Sequence, residues 1–313
     1  MARILILGGN GFIGLNLSAS LIENGHEIVC ADRAMPPKKG KSIPLNQLEY
    51  KIGDLADLSF LHSLFYSEPY DWVIHLACSL IPSSNYSDFI RERELNITGG
   101  FELIQSMRNS GSKKLLFFST GGAIYGNNGQ DLNDEDSALI PLNYYAYSKL
   151  LMEEYIQLEA RLSGLEYMIV RPSNPYGAGQ NLFGRQGLIA VTLGKLISQE
   201  NPQVWGDGSV IRDYLHISDL CNSIDKLISK GKLNEIYNIG SGIGYSVNEV
   251  MKVIQTATGN EFKIDYSDGR TVDVPVNILN INKLKAHTGF SPKIDLEVGI
   301  STLWNEMLLT SSR

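Results

Sequence analysis

Arg3–Ile22, RILILGGNGFIGLNLSASLI, is the stretch whose reading decides the fold. Ile4–Leu7 is an uninterrupted apolar run, the pattern of a strand buried on both faces, and Gly8, Gly11 and Gly14 follow at once as G-x-x-G-x-x-G. A helix follows the glycines. A strand that passes through a glycine turn into a helix presents backbone N–H groups and the positive dipole end to an anion. Glycine also lets that backbone approach the anion closely. Glycine spacing alone would fit an ordinary turn, but the strand before it and the helix after it predict a pyrophosphate cradle for a dinucleotide.

Working outward, Glu27–Ala31 reads as a second strand that ends on Asp32. A carboxylate there meets an adenosine ribose 2′-hydroxyl and repels a 2′-phosphate, which points to NAD rather than NADP. The neighbouring Arg33 could pair with such a phosphate and keeps NADP open. Residues 35–48 form a Pro/Lys-rich loop, after which 48–52, 71–77, 115–119 and 167–171 read as further strands. The segments 57–66, 89–110 and 145–162 have helical spacing. Strands alternating with helices predict right-handed crossovers and a doubly wound parallel sheet, with ligands beyond the carboxyl ends of the strands. Past Pro172 the elements shorten and Gly, Pro and Asn increase, as in NPYGAGQN and YNIGSGIGYS. The expected organisation is therefore a Rossmann-like domain over 1–172 and a smaller C-terminal α/β substrate lobe over 173–313, some of whose elements return to the first domain. The tail from Leu308 is expected to fray.

Composition narrows the function classes. The net charge is −7 and the densest basic cluster is Lys38, Lys39 and Lys41 in a loop, so no nucleic-acid footprint is expected. Three distant cysteines and five scattered histidines suggest neither disulfides nor a metal site. No apolar run reaches the roughly 18 residues of a spanning helix, and a strand beginning at residue 3 leaves no room for a signal peptide; the expectation is a cytoplasmic protein with no membrane partner.

Tyr145 and Lys149 form Tyr-x-x-x-Lys at the start of a predicted helix. Four residues make just over one turn, so the ammonium lies on the same face as the phenol. A phenol of pKa about 10 is only about 0.1% ionised at neutral pH, and a tyrosine base needs a neighbouring cation. Lys149 supplies one. Tyr144 and Tyr147 have Ser148 and Leu151 four residues on, so the pattern selects Tyr145.

With these residues the chain resembles the extended short-chain dehydrogenases/reductases, and among them the nucleotide-sugar epimerases of the UDP-galactose 4-epimerase type. The resemblance runs nearly end to end through Gly8–Gly14, Asp32, Gly53-Asp54-Leu55, His75-Leu76-Ala77, Asn96, FSTGGAIYG (118–126), YAYSK (145–149), RPSNPYG (171–177), WGDGSVIRDYLHISDL (205–220) and Arg270 with Asp273. It implies that Gly8, Gly11, Phe12, Ile13 and Gly14 hold the pyrophosphate, Asp32 and Arg33 the ribose, and Asp54 and Leu55 the adenine. Leu76, Ala77, Cys78 and Asn96 would line the rest of the cofactor path, with Tyr145 and Lys149 at the nicotinamide ribose. Asn174, Arg212 and Arg270 would serve the sugar diphosphate, with Asp273 also in the substrate site. Guanidinium groups match a diphosphate by charge-assisted, often bidentate hydrogen bonds.

One departure concerns the proton path. Gly121 stands where the family usually has a serine or threonine between sugar and tyrosine, and Thr120 is the nearest substitute. Sugar 4,6-dehydratases carry Asp-Glu where this chain has Gly122 and Ala123, so an elimination lacks its acid/base pair. The resemblance also implies that the residue at Asn277 faces the sugar 2-substituent, where asparagine would admit an N-acetyl group. Turn capping after Pro275 is the plainer role for Asn277.

The expected function is an NAD-dependent nucleotide-sugar 4-epimerase acting on a UDP-hexose or UDP-N-acetylhexosamine through a 4-keto intermediate, assembled as a homodimer through helices 89–110 and 145–162. The alternatives are an NAD(P)H-dependent 4-keto-sugar reductase and a non-catalytic dinucleotide-sensing protein.

Overall fold

The first strand sends alternate side chains into two different cores. Ile4 and Ile6 pack with Leu17 and Leu21 on one face, and Leu5 and Leu7 pack with Leu103 and Met107 on the other. A strand buried on both sides needs a helical layer over each face, and the chain supplies both. The computed structural model describes residues 1–35, 48–269 and 274–311, with only the backbone described at 310 and 311.

In chain order the elements are β1 (Arg3–Leu7), α1 (Phe12–Glu23), β2 (Glu27–Asp32), β3 (Leu48–Ile52), α2 (Leu58–Ser63), β4 (Trp72–His75), α3 (Tyr86–Arg91), a π-helical turn (Glu94–Thr98), α4 (Gly99–Ser110), β5 (Lys114–Phe118), β6 (Leu132–Asn133), α5 (Tyr144–Ser163) and β7 (Glu166–Pro172). Then come β8 (Asn174–Tyr176), α6 (Leu188–Ile197), β9 (Gln203–Trp205), β10 (Ile211–His216), α7 (Ile217–Lys230), β11 (Glu235–Ile239), β12 (Gly244–Ser246), α8 (Val247–Thr258), β13 (Asp265–Ser267), β14 (Val276–Leu279), α9 (Asn282–Thr288) and α10 (Leu296–Ser311).

The main sheet runs β11-β7-β5-β4-β1-β2-β3, and every pair in it is parallel. The strand order reverses between β1 and β4, which opens a crevice there at the carboxyl ends. Its seventh strand, β11, comes from beyond residue 173, as do α7 and α9, which pack on the α1 side. The division at 172 is thus a division of the chain, and the sheet itself takes strands from both parts.

A second sheet, β12-β10-β14-β6 with β8 on β10, carries the substrate side. Its helices α6, α8 and α10 share a third core around Leu193, Met251, Ile254 and Trp304.

Two differences from the sequence reading have physical causes. The helix expected over 89–110 is broken by the π-helical turn, and the side chain of Asn96 within that turn donates to Ser79 Oγ (2.8 Å) and to the Glu92 carbonyl (2.7 Å). Beyond the break α4 lies against α5 so closely that a Cβ on Gly100 would come within 2.6 Å of Met152 Cε. The tail holds its helix to Ser311 rather than fraying from Leu308, with Leu303, Trp304 and Met307 buried on the third core. Most of the Pro/Lys-rich loop, and Lys38, Lys39 and Lys41 with it, lies outside the described residues.

Candidate active site

The carboxyl ends of β1, β4, β5 and β7 deliver the site. Gly8 takes φ +83° and leaves no space for a side chain, since a Cβ would sit 2.8 Å from the Ala77 backbone nitrogen. Gly14, one turn into α1, packs directly on the loop: its Cβ would meet Gly8 O at 2.5 Å and Gly9 O at 2.6 Å. Gly11 caps α1 without a side-chain hydrogen bond, and no acidic residue occupies the first turn. The first N–H groups are left for an anion, with the dipole favouring it.

A cavity of about 690 Å³ opens from this turn and is walled by Phe12, Ile13, Leu76, Thr120, Tyr145 and Lys149 on the cofactor side and by Asn174, Arg212 and Trp205 on the other. A groove of about 170 Å³ continues it past Gly8 and Gly11 to Asp32, Arg33, Asp54 and Leu55, with Leu76, Ala77 and Cys78 along its wall. The Asp32 carboxylate accepts from the backbone of Asn10 at 2.9 Å and of Arg33 at 2.7 Å. That fixes it at the tip of β2 with lone pairs still available. Ser119 and Ser173, just past β5 and β7, keep buried hydroxyls without a partner among the described residues, and both face the cavity. Glycine cradle, strand-end carboxylate and orphaned hydroxyls together fit a dinucleotide lying across the sheet.

Asn143 starts α5 by accepting from Ala146 N at 2.8 Å, which sets Tyr145 in the first turn and Lys149 one turn on. The Lys149 ammonium is buried, donates to the Phe118 carbonyl at 2.7 Å and lies 6.0 Å from the centroid of the Tyr145 ring. Burial pushes the Tyr145 phenol up, the neighbouring Cys78 thiol adds to this, and a hydrogen bond with Thr120 pulls it down. Thr120 thus places a hydroxyl beside the tyrosine. Burial, and then the charge of Lys149, pushes His75 down to about 3, so this imidazole stays neutral near the Lys149 ammonium.

None of the described cavity-lining residues is Asp or Glu, whereas Lys149, Arg185 and Arg212 all line it. Gly122 and Ala123 stand in the wall where an eliminating enzyme would need its acid and base. The chamber suits a polyanion.

Not every expected residue reaches the cavity. Asn96 lies behind it, receiving the Ser79 backbone N–H at 3.2 Å and bracing the loop after β4 instead of lining the cofactor path. Asn277 is corrected likewise. Only 4% exposed and not among the residues that line the cavity, it donates to the Gly121 carbonyl at 2.9 Å and accepts from Asn133 at 3.1 Å, so its amide is turned into the protein and not toward a sugar 2-substituent. Asn174 stays in the wall, its amide donating to the Asp213 carbonyl at 2.9 Å. Arg212 donates to the carbonyls of Ile211 and Val274 at 2.8 and 2.6 Å. Arg270 and Asp273 fall outside the described residues. Sequence reasoning did not single out Arg185, Ser119 or Ser173. The serines follow their strands directly, where a parallel sheet places its ligands, but Arg185 sits in LFGRQG, which reads only as loop.

A site read this way predicts relatives that pair a dinucleotide with a diphosphate substrate, and comparison with known proteins finds them. The chain is 32% identical over 304 residues to a putative UDP-glucose 4-epimerase of Methanocaldococcus jannaschii, covering 97% of this chain and 98% of that protein. It superposes on a UDP-glucose 4-epimerase of Thermotoga maritima solved with UDP-glucose, with a TM-score of 0.91, 30% identity and 99% of each chain covered. A UDP-glucose 4-epimerase of Thermus thermophilus in complex with NAD gives 0.89 and 28% identity, with 98% of this chain and 99% of that one covered. A family model matches residues 4–240. By that match and by these relatives, the chain belongs to the NAD dependent epimerase/dehydratase family.

Proposed function

We propose that the protein is an NAD-dependent nucleotide-sugar 4-epimerase whose substrate is a UDP-hexose or UDP-N-acetylhexosamine. The observation that carries this reading is the meeting of Tyr145, hydrogen-bonded to Thr120 and backed by Lys149, with a chamber whose described lining holds Arg185 and Arg212 and no Asp or Glu. NAD, when bound, would supply the hydride acceptor and donor for sugar carbon 4. Gly8, Gly11 and Gly14 would hold its pyrophosphate, and Asp32 its adenosine ribose. Tyr145 takes the proton of the sugar 4-hydroxyl and returns it after the 4-keto sugar has turned over, with Lys149 opposing the burial that keeps the phenol protonated. Arg212, joined by Arg185 and Arg270, anchors the diphosphate about which the sugar turns. The reaction so proposed is redox-neutral overall, whereas a reductase would consume its reduced cofactor.

The chain organisation proposed is a cofactor domain over 1–172 and a substrate lobe over 173–313 that lends β11, α7 and α9 to the first. A cytoplasmic homodimer through α4 and α5 is proposed with it, on the support of Leu158 and Leu162, which stand 40% and 73% exposed on α5.

The test is to identify by mass spectrometry what co-purifies and then to incubate the NAD-loaded protein with UDP- and GDP-sugars. Interconversion of a 4-epimer pair with no net change in reduced nicotinamide is expected. Stoichiometric consumption of NADH or NADPH would establish the reductase instead. Binding of NAD without turnover of any sugar nucleotide would favour the sensing protein. Sedimentation as a 34.6 kDa monomer at micromolar concentration would contradict the dimer.

A further inference from the structure

We propose that Asn277 is a positioning residue that holds the Thr120 hydroxyl against Tyr145 and ties it to the strand pair bearing Arg212. The inference rests on the epimerase reading, because it assigns Thr120 a place in that proton path.

Gly121 is held from two sides. Its N–H donates to the Pro172 carbonyl at the end of β7 (2.8 Å), and its carbonyl accepts from Asn277 Nδ2 on β14 (2.9 Å). No side chain could do this work from position 121, since a Cβ there would sit 2.5 Å from Leu279 Cδ1 and 2.7 Å from the Arg171 carbonyl. The orientation of the Asn277 amide is determined as well. Its Oδ1 receives Asn133 Nδ2 at 3.1 Å, and Asn133 Oδ1 is taken by Asn128 Nδ2 at 2.7 Å, which leaves the donor end of Asn277 for Gly121.

β14 carries this anchor to the diphosphate side. Asn277 lies opposite Arg212 in the parallel β10–β14 register. Ile211 N donates to the Pro275 carbonyl at 2.8 Å, and Arg212 Nη1 donates to the Val274 carbonyl at 2.6 Å. Hydrogen bonds from Ile211 and Arg212 to Pro275 and Val274, the backbone from Val274 to Asn277, and the hydrogen bond from Asn277 to the Gly121 carbonyl therefore join Arg212 to the segment that carries Thr120. An anion that draws Arg212 toward it pulls on the same strand that holds the catalytic hydroxyl. A buried carbonyl stripped of its donor costs enough to shift a short glycine segment.

The test is a double-mutant cycle on the NAD-loaded enzyme with UDP-glucose and UDP-N-acetylglucosamine. Asn277→Leu is expected to lower kcat by about 10- to 100-fold while KM stays within about twofold. In a Thr120→Val background the same substitution should add less than about a further twofold loss, because the hydroxyl it positions is already gone. Losses that multiply, or a rise in KM alone, overturn the proposal. A crystal structure of Asn277→Leu decides independently of turnover. The Thr120 hydroxyl is expected beyond hydrogen-bond distance of the Tyr145 phenol, and a hydroxyl still in place overturns the inference even if the wild type epimerises nothing, an outcome that would separately sink the functional reading. Should Asn277→Leu fail to fold, Asn277→Thr, which suits a strand but is too short to reach Gly121, carries the same expectations.

Discussion

The cofactor half and the substrate half of the cavity are built in opposite ways. On the cofactor side Gly8 follows β1, Asp32 stands at the tip of β2 and Thr120 follows β5, each within a few positions of a parallel strand's end, and α5 brings Tyr145 and Lys149 to them one turn apart. Local chain geometry and close packing do the positioning, as at Gly14, where even a methyl group would strike Gly8 and Gly9. On the substrate side Asn174, Arg212 and Asn277 sit on β8, β10 and β14, strands from distant parts of the chain that meet edge to edge. Buried polar groups hold them. Asp213, fully buried on β10, accepts from Ser241 Oγ and N at 2.7 and 2.8 Å and from Gly242 N at 3.1 Å, while its backbone carbonyl receives Asn174. A site assembled locally is fixed by sterics, whereas a site assembled from distant strands is fixed by hydrogen bonds that can be removed one at a time.

The two halves meet at Tyr145, so the largest effect is expected there. Tyr145→Phe keeps the ring and the fold but removes the acid/base group, and kcat should fall by about 10³-fold or more. NAD content after gel filtration should be unchanged, and retention of a tenth of the wild-type rate would remove Tyr145 from the chemistry.

Next in size is the buried pair behind the junction. Arg171 on β7 donates to both oxygens of Glu153 on α5, at 3.1 and 2.7 Å, with exposures of 2% and 0%. Glu153→Gln leaves the guanidinium without its counter-charge and should cost about 3–5 kcal/mol, read from denaturant unfolding. An unchanged midpoint would show that the pair is not what couples α5 to the sheet.

A pH effect should follow from His75. Its folded-state pKa, pushed down to about 3 by burial and by Lys149, lies below the unfolded value of about 6.5. Between those values the unfolded chain binds the extra proton, so stability is full above about 6.5 and declines as the pH falls, by up to about 1.4 kcal/mol per unit. His75→Leu should flatten that acid slope. An equally steep slope in the variant would assign it to other groups.

The smallest effect expected is at the cradle. Gly14→Ala forces the loop apart and should cost about 1–3 kcal/mol in stability, together with loss of retained NAD. If stability falls and NAD stays, the turn shapes the fold without shaping the cofactor site.

The same contrast explains what the sequence made legible. The β1–α1 turn, the alternation of strands and helices and the Tyr145–Lys149 spacing are local patterns, and the structure places each as read. The seventh strand, β11, was hidden in a segment whose Gly and Asn content marks the second lobe, because sheet membership is a long-range pairing. Asn277 was assigned to the sugar pocket by position along the chain. Its contacts with Gly121 and Asn133, 156 and 144 residues away, turn the amide into the protein, and spacing could not have indicated them. Asn96 is a similar case: the π-helical turn that aims it at Ser79 and away from the cofactor path leaves no periodic trace in the sequence.

The central claim is that one tyrosine serves both halves in a redox-neutral exchange at sugar carbon 4. UDP-glucose labelled with deuterium at that carbon, incubated with the NAD-loaded protein and followed by proton NMR, tests it most directly. The account predicts a mixture of UDP-glucose and UDP-galactose that keeps its deuterium at carbon 4, with no reduced nicotinamide accumulating. Deuterium released to solvent, or recovered in free reduced nicotinamide, would contradict it.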